Sequence, residues 1–137
     1  MDVRRSEIVH ISILAPRREV IAFLSDMENW TTWAPWILSV RRSSPRDWTL
    51  ETEVGQMMVH FVEQNSLGVV DHEVRLASGL TVLNSMRVVP NGSGSELVMV
   101  LFQSPGVSSA EFARDVQAVR DDLARLKKVA EALTKGE

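Results

Sequence analysis

The chain has 137 residues, no cysteine and a formal net charge of -3, so it falls in the size range of one domain and lacks disulfides and thiolate metal ligands. Its acidic balance gives no electrostatic basis for a nucleic-acid partner. No apolar run is long enough for stable membrane insertion and no signal peptide is evident, which predicts a cytoplasmic protein with a single domain over residues 1–137.

The first 35 residues predict a strand followed by two short helices. Apolar and polar residues alternate over 5–14, as in a strand with one buried face. Pro16 suits the first turn of a helix, which should end near Ser25. Asp26 is a candidate N-cap for a second short helix, and Pro35 should end it because the residue before a proline is pushed towards an extended conformation.

From Trp36 onward the sequence predicts a meander of six strands separated by turn-forming residues. The predicted strands cover 36–42, 47–54, 57–65, 68–76, 80–89 and 95–103. Two short turns, at Gly55-Gln56 and Ser66-Leu67, set a register. The predicted cross-strand pairs are Val54–Met57, Thr52–Val59, Leu50–Phe61, Phe61–His72 and Val59–Val74, all on one dry face. The opposite, solvated face is predicted to carry Glu51, Glu53, His60, Gln64, Asp71, Glu73 and Arg75.

The C-terminal segment predicts the longest helix. Ser108 and Glu111 have the spacing of a capping box at its start. Apolar residues then recur at three- and four-residue steps, namely Phe112, Val116, Val119, Leu123, Leu126, Ala130 and Leu133, which form one continuous stripe. About 26 residues at about 1.5 Å each span roughly 39 Å, more than a strand of a small sheet, so the helix should cross the dry face.

The segment from Ile13 to Pro16, the stretch 23–30, and Trp33 and Trp36 resemble the N-terminal signature of the SRPBCC or START-like superfamily, which includes polyketide cyclases and the birch-pollen allergen. The resemblance covers nearly the whole chain. It implies an α+β helix-grip fold: a curved seven-stranded antiparallel sheet with two short N-terminal helices and one long C-terminal helix enclosing a cavity. The superfamily includes lipid carriers, aromatases and chaperone-ATPase activators, so the fold does not choose a function.

Residues on the dry face and the helix stripe are the candidate ligand contacts. They are Trp33, Trp36, Trp48, Leu50, Val59, Phe61, His72, Val74, Asn84, Met86, Phe112 and Val116. The tryptophans can stack on a flat ligand or simply pack the short helices onto the sheet. His72 is also the candidate catalytic residue, because a buried imidazole needs a partner that a ligand or water can supply. The alternative is a structural histidine bonded to a backbone carbonyl or to Asn84.

Three functions remain open. The first is binding of a small hydrophobic molecule such as a lipid, polyketide or aromatic metabolite. The second is an enzyme of the cyclase, aromatase or dehydratase type in which His72 and Asn84 act on a polyketide-like substrate. The third is a protein-interaction module. No metal or cofactor is predicted, since the three histidines lack ligand spacing and the stretch 91–94 reads as a hairpin turn. The oligomeric state is left open.

Overall fold

The structure is a computed structural model that describes residues 3–135. The helices are α1 (Arg17–Ser25), a 3-10 helix (Met27–Thr32) and α2 (Ser109–Lys135). The strands are β1 (Ser6–Ile13), β2 (Ile37–Ser44), β3 (Asp47–Thr52), β4 (Gly55–Phe61), β5 (His72–Arg75), β6 (Thr81–Asn91) and β7 (Gly94–Phe102). This element order confirms the predicted α+β helix-grip architecture.

Across the described residues the seven strands form one antiparallel sheet in the order β1-β7-β6-β5-β4-β3-β2. The long strand β6 pairs with different neighbours along its length and so joins the two halves of the sheet. Its first part, Thr81 to Asn84, pairs with β5, whereas the part from Ser85 onward pairs with β7. The last residues of β7, Leu101 and Phe102, pair with β1. The pairing between β6 and β7 thus begins at the pair Ser85–Val100. A gap opens between the two strands on the side of Asn84 and Leu101.

The predicted register of the β3–β4 hairpin is wrong by four residues, because the turn lies two residues earlier than predicted. Thr52 pairs with Gly55, Leu50 with Met57, and Trp48 with Val59, so the two-residue turn is at 53–54 rather than at Gly55-Gln56. The Thr52 hydroxyl closes this turn, donating to the Gly55 carbonyl at 2.6 Å and accepting from the Val54 amide at 3.2 Å. Because the displacement is an even number of residues, the side chains that remain in the two strands keep their predicted faces. Val54, predicted on the dry face, lies in the turn instead and is exposed.

The predicted pairs of Phe61 with His72 and of Val59 with Val74 are confirmed, but the tight turn at Ser66-Leu67 is not. An irregular loop over 62–71 joins β4 to β5. The side chain of Asn65 organises the loop, since its amide donates to the carbonyls of Glu63 and Val69 at 3.1 and 3.0 Å. Predicted strand residues 62–65 and 68–71 are therefore loop, and Asp71, predicted to be solvated, is buried.

The helix α2 begins as its sequence predicts and buries most of the predicted apolar stripe. The Ser108 hydroxyl accepts from the Glu111 amide at 3.1 Å, as in a capping box. Five stripe residues are buried, Phe112, Val116, Leu123, Leu126 and Ala130, whereas Leu133 is 55% exposed and lies outside the core. Of the helices within residues 3–135, none is long and apolar enough to cross a membrane.

Candidate functional site

A cavity of about 130 Å³ lies between the inner face of the sheet, the 3-10 helix and the middle of α2. Its lining residues are Met27, Trp30, Trp33, Trp36, Leu50, Met57, Val59, His72, Val74, Asn84, Met86, Met99, Leu101, Val119, Asp122 and Leu123. Most of these side chains are apolar or aromatic, and three, those of His72, Asn84 and Asp122, are polar or charged. This composition is typical of a pocket that binds an apolar molecule and orients it with a few polar groups.

Eight of the twelve candidate ligand contacts line this cavity. They are Trp33, Trp36, Leu50, Val59, His72, Val74, Asn84 and Met86. The other four, Trp48, Phe61, Phe112 and Val116, are buried but lie outside the lining.

The three aromatic rings that lie outside the cavity lining, those of Trp48, Phe61 and Phe112, contact other side chains. The guanidinium of Arg42 lies 5.4 Å from the Trp48 ring centre, and that of Arg5 lies 5.3 Å from the Phe112 ring. Phe61 packs against His72 at 5.1 Å and against Trp30 at 6.2 Å between ring centres. Because both of these neighbours line the cavity, Phe61 supports its wall from behind.

Several lining residues were not among the sequence-based candidates. From α2 these are Val119, Asp122 and Leu123 rather than Phe112 and Val116. The apolar stripe contains Val119 and Leu123, but periodicity alone does not indicate which turn of the helix lies above the open space. Trp30, which was not among the candidate ligand contacts, also lines the cavity, and its indole nitrogen donates to the Leu24 carbonyl at 2.9 Å.

His72, the first residue of β5, is 3% exposed. Its Nδ1 lies 3.0 Å from the Val70 carbonyl oxygen. Since a carbonyl only accepts, the neutral ring carries its proton on Nδ1, and Nε2 keeps its lone pair. Burial lowers the pKa of His72, against the raising effects of the Val70 hydrogen bond and the Asp71 charge. The imidazole is therefore neutral at pH 7, with Nε2 as an acceptor.

The Trp36 indole is tied to α2, because its nitrogen donates to Oδ2 of Asp122 at 3.0 Å. The other Asp122 oxygen accepts from Arg125, and Arg125 also donates to the Trp33 carbonyl at 3.1 Å. These bonds hold the segment after the 3-10 helix, which contains Trp33 and Trp36, against the middle of α2. Both carboxylate oxygens of Asp122 therefore accept a hydrogen bond.

Two other indole nitrogens, those of Trp33 and Trp48, are buried and have no hydrogen-bond partner within residues 3–135. The Trp33 ring packs against Trp30 at 4.8 Å between centres, tilted by 42°. Trp33 lines the cavity and Trp48 does not.

An outer groove of about 470 Å³ adjoins the cavity where β6 and β7 separate. Asn84, Leu101 and Val119 line both spaces. The groove also contains Leu83 and Phe102, which are 59% and 51% exposed. The outer groove is thus an apolar approach to the cavity, with Asn84, Leu101 and Val119 at the junction.

The other histidines lie on the outer face of the sheet beside carboxylates. His60 Nδ1 is 2.6 Å from Asp47, and His10 Nδ1 is 2.8 Å from Glu96. In each cluster a serine hydroxyl donates to the carboxylate rather than to the histidine, so neither cluster has the order of a catalytic triad. No group of three metal-ligating side chains occurs in the part of the chain that the structure describes.

Comparison with known proteins identifies relatives of the fold. The model of the polyketide cyclase/dehydrase and lipid transport family matches residues 4–131. No protein of curated function matches the sequence.

Three solved structures illustrate the structural similarity. A START superfamily protein from Mycobacterium smegmatis has a TM-score of 0.76 at 12% identity, over 93% of this chain and 98% of its own. Ara h 8.0201 has a TM-score of 0.72 at 10% identity, over 95% and 99%. The Aha1 protein of Colwellia psychrerythraea, solved as a dimer, has 0.71 at 12% identity, over 93% and 96%. At these identities the likeness shows the fold alone.

Proposed function

The chain belongs to the polyketide cyclase/dehydrase and lipid transport family, and we propose that it binds a small hydrophobic molecule in its internal cavity. The predicted membership of the START-like helix-grip superfamily is confirmed, and this is a hydrophobic-ligand-binding fold. The observation that carries the proposal is the cavity under α2, lined by aromatic, aliphatic and methionine side chains. We also propose a cytoplasmic location, since a chain without cysteine suits a reducing compartment.

The size of the cavity limits the ligand. Its volume of about 130 Å³ is close to the roughly 150 Å³ of an apolar cavity that holds benzene, and below the roughly 300–1,000 Å³ of common ligand pockets. One aromatic ring or a short aliphatic segment therefore fits inside. A longer molecule would extend through the junction into the outer groove. Methionines 27, 57, 86 and 99 in the wall can adapt to its shape because their side chains are unbranched.

A ligand panel tests this proposal. Toluene, medium-chain fatty acids and a flavonoid would be titrated while tryptophan fluorescence is followed, and native mass spectrometry of protein from its own host would detect a co-purified molecule. We expect saturable binding by at least one class. Val74→Phe should fill part of the cavity and weaken binding. Val54→Phe is the matched control, since Val54 lies in a turn and is 78% exposed.

Two results would contradict the proposal. No saturable binding by any compound, with the fold intact, would exclude the cavity as a binding site for these classes. Equal affinity in wild type and Val74→Phe would place the bound molecule outside the cavity.

One observation favours catalysis as a second candidate function. A neutral imidazole with a free Nε2 in an apolar cavity has the protonation state of a general base. In such an enzyme His72 would accept a proton from a bound polyketide-like substrate, and Asn84, its cross-strand partner, would orient that substrate. A co-purified molecule whose mass changes on incubation with wild type, but not with His72→Gln, would support catalysis. An unchanged mass with both proteins would favour a carrier.

A further inference from the structure

The outer groove runs along two strand edges rather than over one face of the sheet. Its lining includes the consecutive residues 81–84 of β6 and 100–102 of β7. Successive side chains of a strand point to opposite faces, so a space that touches every residue of such a segment lies beside the backbone of that strand. The groove therefore borders the hydrogen-bonding edges of β6 and β7 where the two strands separate.

On the β6 side, the backbone N–H and C=O of Leu83 point into the groove. At the end of the β5–β6 hairpin the Leu76 amide donates to the Leu80 carbonyl at 2.8 Å. Val74 and Val82 pair two residues further along each strand. Because hydrogen-bonded and non-hydrogen-bonded pairs alternate in an antiparallel ladder, Val82 bonds to β5. The adjacent residue Leu83 presents its N–H and C=O to the opposite side, that of β7.

On the β7 side, the same backbone groups of Phe102 point into the groove. The Gln103 amide donates to the Arg5 carbonyl at 2.9 Å, on the side of β1, and Glu7 and Leu101 pair two residues further along. Backbone groups of successive strand residues point to alternate sides. Those of Phe102 therefore point away from β1, to the side of β6.

The ladder between β6 and β7 ends before it reaches Leu83 and Phe102. Its last pair within residues 3–135 is Ser85–Val100, and the same register would next bond Leu83 to Phe102. The side chains of these two residues lie on the outer face of the sheet and are more than half exposed. The gap thus offers backbone donors and acceptors from two sides, with an apolar side chain beside each.

The strand edges along the gap differ from the free edge of the sheet at β2. That edge carries Arg41 and Arg42, both exposed, and the pairing of β2 with β3 has two register shifts. Charges and irregularities of this kind discourage the addition of another strand. The segments 81–84 and 100–102 have no charged residue and no proline. The gap is therefore open to a further strand.

The size and charge of the groove define what fits there. A residue in a packed strand occupies roughly 160 Å³, so the groove, with a volume of about 470 Å³, accommodates about three residues. Among the described residues that line it, the charged ones are Arg4 and Asp115, which have opposite signs. The groove therefore favours a short, extended segment without net charge.

We propose that the outer groove binds an extended, uncharged peptide segment of a partner protein, which enters the gap as an additional strand between β6 and β7. An extended chain has N–H and C=O groups along both edges, so the same segment bonds to Leu83 on one side and to Phe102 on the other. Its outward side chains pack against those of Leu83 and Phe102, and its inward side chains cover the junction to the cavity. Such strand addition is a general mode of peptide recognition. It is independent of the small-molecule binding proposed above.

Amide hydrogen exchange in the free protein is the first test. The amides of Leu83 and Phe102, which face the gap, should exchange about tenfold or more faster than those of Val82 and Leu101, which bond to β5 and β1. If all four amides are equally protected, the ladder closes in solution and the proposal is overturned.

A library of random heptapeptides displayed on phage supplies the probe for the second test. Selection on the wild-type protein should enrich peptides whose central residues are uncharged, contain no proline and include β-branched side chains. A synthetic copy of an enriched peptide should slow the exchange of the Leu83 and Phe102 amides about tenfold or more, because both N–H groups then donate to the added strand.

Backbone N-methylation separates strand addition from apolar contact alone. A peptide methylated on its central backbone nitrogens keeps every side chain but loses its donors, so it should bind about tenfold or more weakly. Leu83→Lys, which places a charge at the gap, should weaken the unmodified peptide by a similar factor. Leu67→Lys, at a leucine that is 73% exposed in the loop 62–71, is the matched control and should leave affinity unchanged. If Leu83→Lys does not fold, the methylated peptide decides the question, since it leaves the protein unaltered.

Three outcomes would overturn the proposal. The first is that no peptide is enriched, and the second is that the methylated and unmodified peptides bind equally well. The third is that medium-chain fatty acids slow the exchange of the Leu83 and Phe102 amides while no peptide does, which would make the groove part of the small-molecule site. None of these outcomes contradicts binding of a small molecule in the cavity, which the ligand panel tests separately.

Discussion

Asp71 and Arg87 form a two-point ion pair that joins the loop before β5 to the middle of β6. Arg87 Nε donates to Oδ1 at 3.0 Å, and its Nη2 donates to Oδ2 at 2.8 Å. Oδ1 also accepts from the Met86 amide at 2.8 Å. Asp71 immediately precedes His72, so this pair fixes the chain at the point where it enters the cavity wall.

The first prediction concerns this ion pair. Asp71→Asn should lower the free energy of unfolding at pH 7 by about 1–3 kcal/mol, because it leaves Arg87 without its countercharge and weakens hydrogen bonds to a charged group. Chemical denaturation measures the change. Glu73→Gln, two residues further along the chain at an exposed position on β5, is the control and should change stability by less than about 0.5 kcal/mol.

The pH dependence of the stability of Asp71→Asn tests the same ion pair in a second way. Hydrogen bonding to Arg87 holds the pKa of Asp71 below its usual value, against the raising effect of burial. Its contribution to stability is therefore complete above the unfolded pKa of about 3.9 and is lost as pH falls through the folded pKa. Wild type should lose more stability than Asp71→Asn below about pH 4. If the stability of the two proteins falls in parallel as the pH is lowered, the ion pair contributes nothing to stability.

The error at Asp71 shows where sequence periodicity fails. Alternation over 68–76 predicts one strand, and that strand places Asp71 outward. In the structure β5 begins only at His72, because the preceding residues bond to Asn65 and to β6 instead. Val70, for example, donates to the Met86 carbonyl at 2.8 Å. The contacts with β6 join residues far apart in sequence, and no local pattern records them.

The elements themselves were more predictable than the cavity. Helix and strand periods, proline positions and the capping box at Ser108 depend on nearby residues, so the sequence predicted the element order and which residues share a face. The cavity depends on where α2 crosses the sheet and where β6 leaves β7. Those positions follow from packing of the whole chain. The sequence analysis therefore named Phe112 as a ligand contact and did not name Val119 or Asp122.

The second prediction concerns Gly68, in the loop before β5. Its φ is +80°, and a Cβ there would lie 2.0 Å from the Val88 carbonyl oxygen. The backbones also bond at this point, the Val88 amide donating to the Gly68 carbonyl at 2.8 Å. Gly68→Ala must therefore move the backbone, and we expect it to cost about 3 kcal/mol or more in unfolding free energy.

Gly92 is the matched control for this substitution. Its φ is +58°, also in the left-handed region, but a Cβ there would meet nothing within 4 Å. Gly92→Ala should cost only about 1 kcal/mol, from backbone conformation alone. Equal losses in the two variants, measured by denaturation, would show that the close approach of Gly68 to Val88 is not a constraint.

The third prediction compares two leucines of α2. Leu123 lines the cavity, whereas Leu126 is fully buried outside its lining. Side chains beside open space have fewer partner atoms and lose less when truncated. Leu126→Ala should cost about 3–5 kcal/mol and Leu123→Ala about 2–3 kcal/mol. Leu123→Ala should also enlarge the cavity and admit a larger ring system. A larger stability loss at Leu123 than at Leu126 would indicate a filled core in place of the cavity.

The fourth prediction concerns protonation of His72. Burial lowers its pKa, so the unfolded chain binds the proton more readily than the folded chain. The stability linked to this group is complete above the unfolded pKa of about 6.5, and it is lost as pH falls from there towards the folded pKa. His72→Phe should flatten the stability profile below about pH 6.5. An NMR titration in which His72 behaves like a free histidine would contradict the neutral, buried imidazole.

The fifth prediction concerns entry into the cavity. Val119 lines both the cavity and the outer groove, so Val119→Phe should narrow the passage between them. A narrower passage raises the barrier for association and dissociation alike, so we expect both rates for toluene to fall about tenfold or more while Kd changes much less. NMR exchange measurements on the bound ligand give both rates.

Ala118→Phe is the control for this prediction. It places the same ring at an exposed position on the same helix and should leave the rates unchanged. If Val119→Phe weakens Kd as strongly as it slows association, the residue forms part of the binding surface. If neither rate changes, the ligand enters by another route.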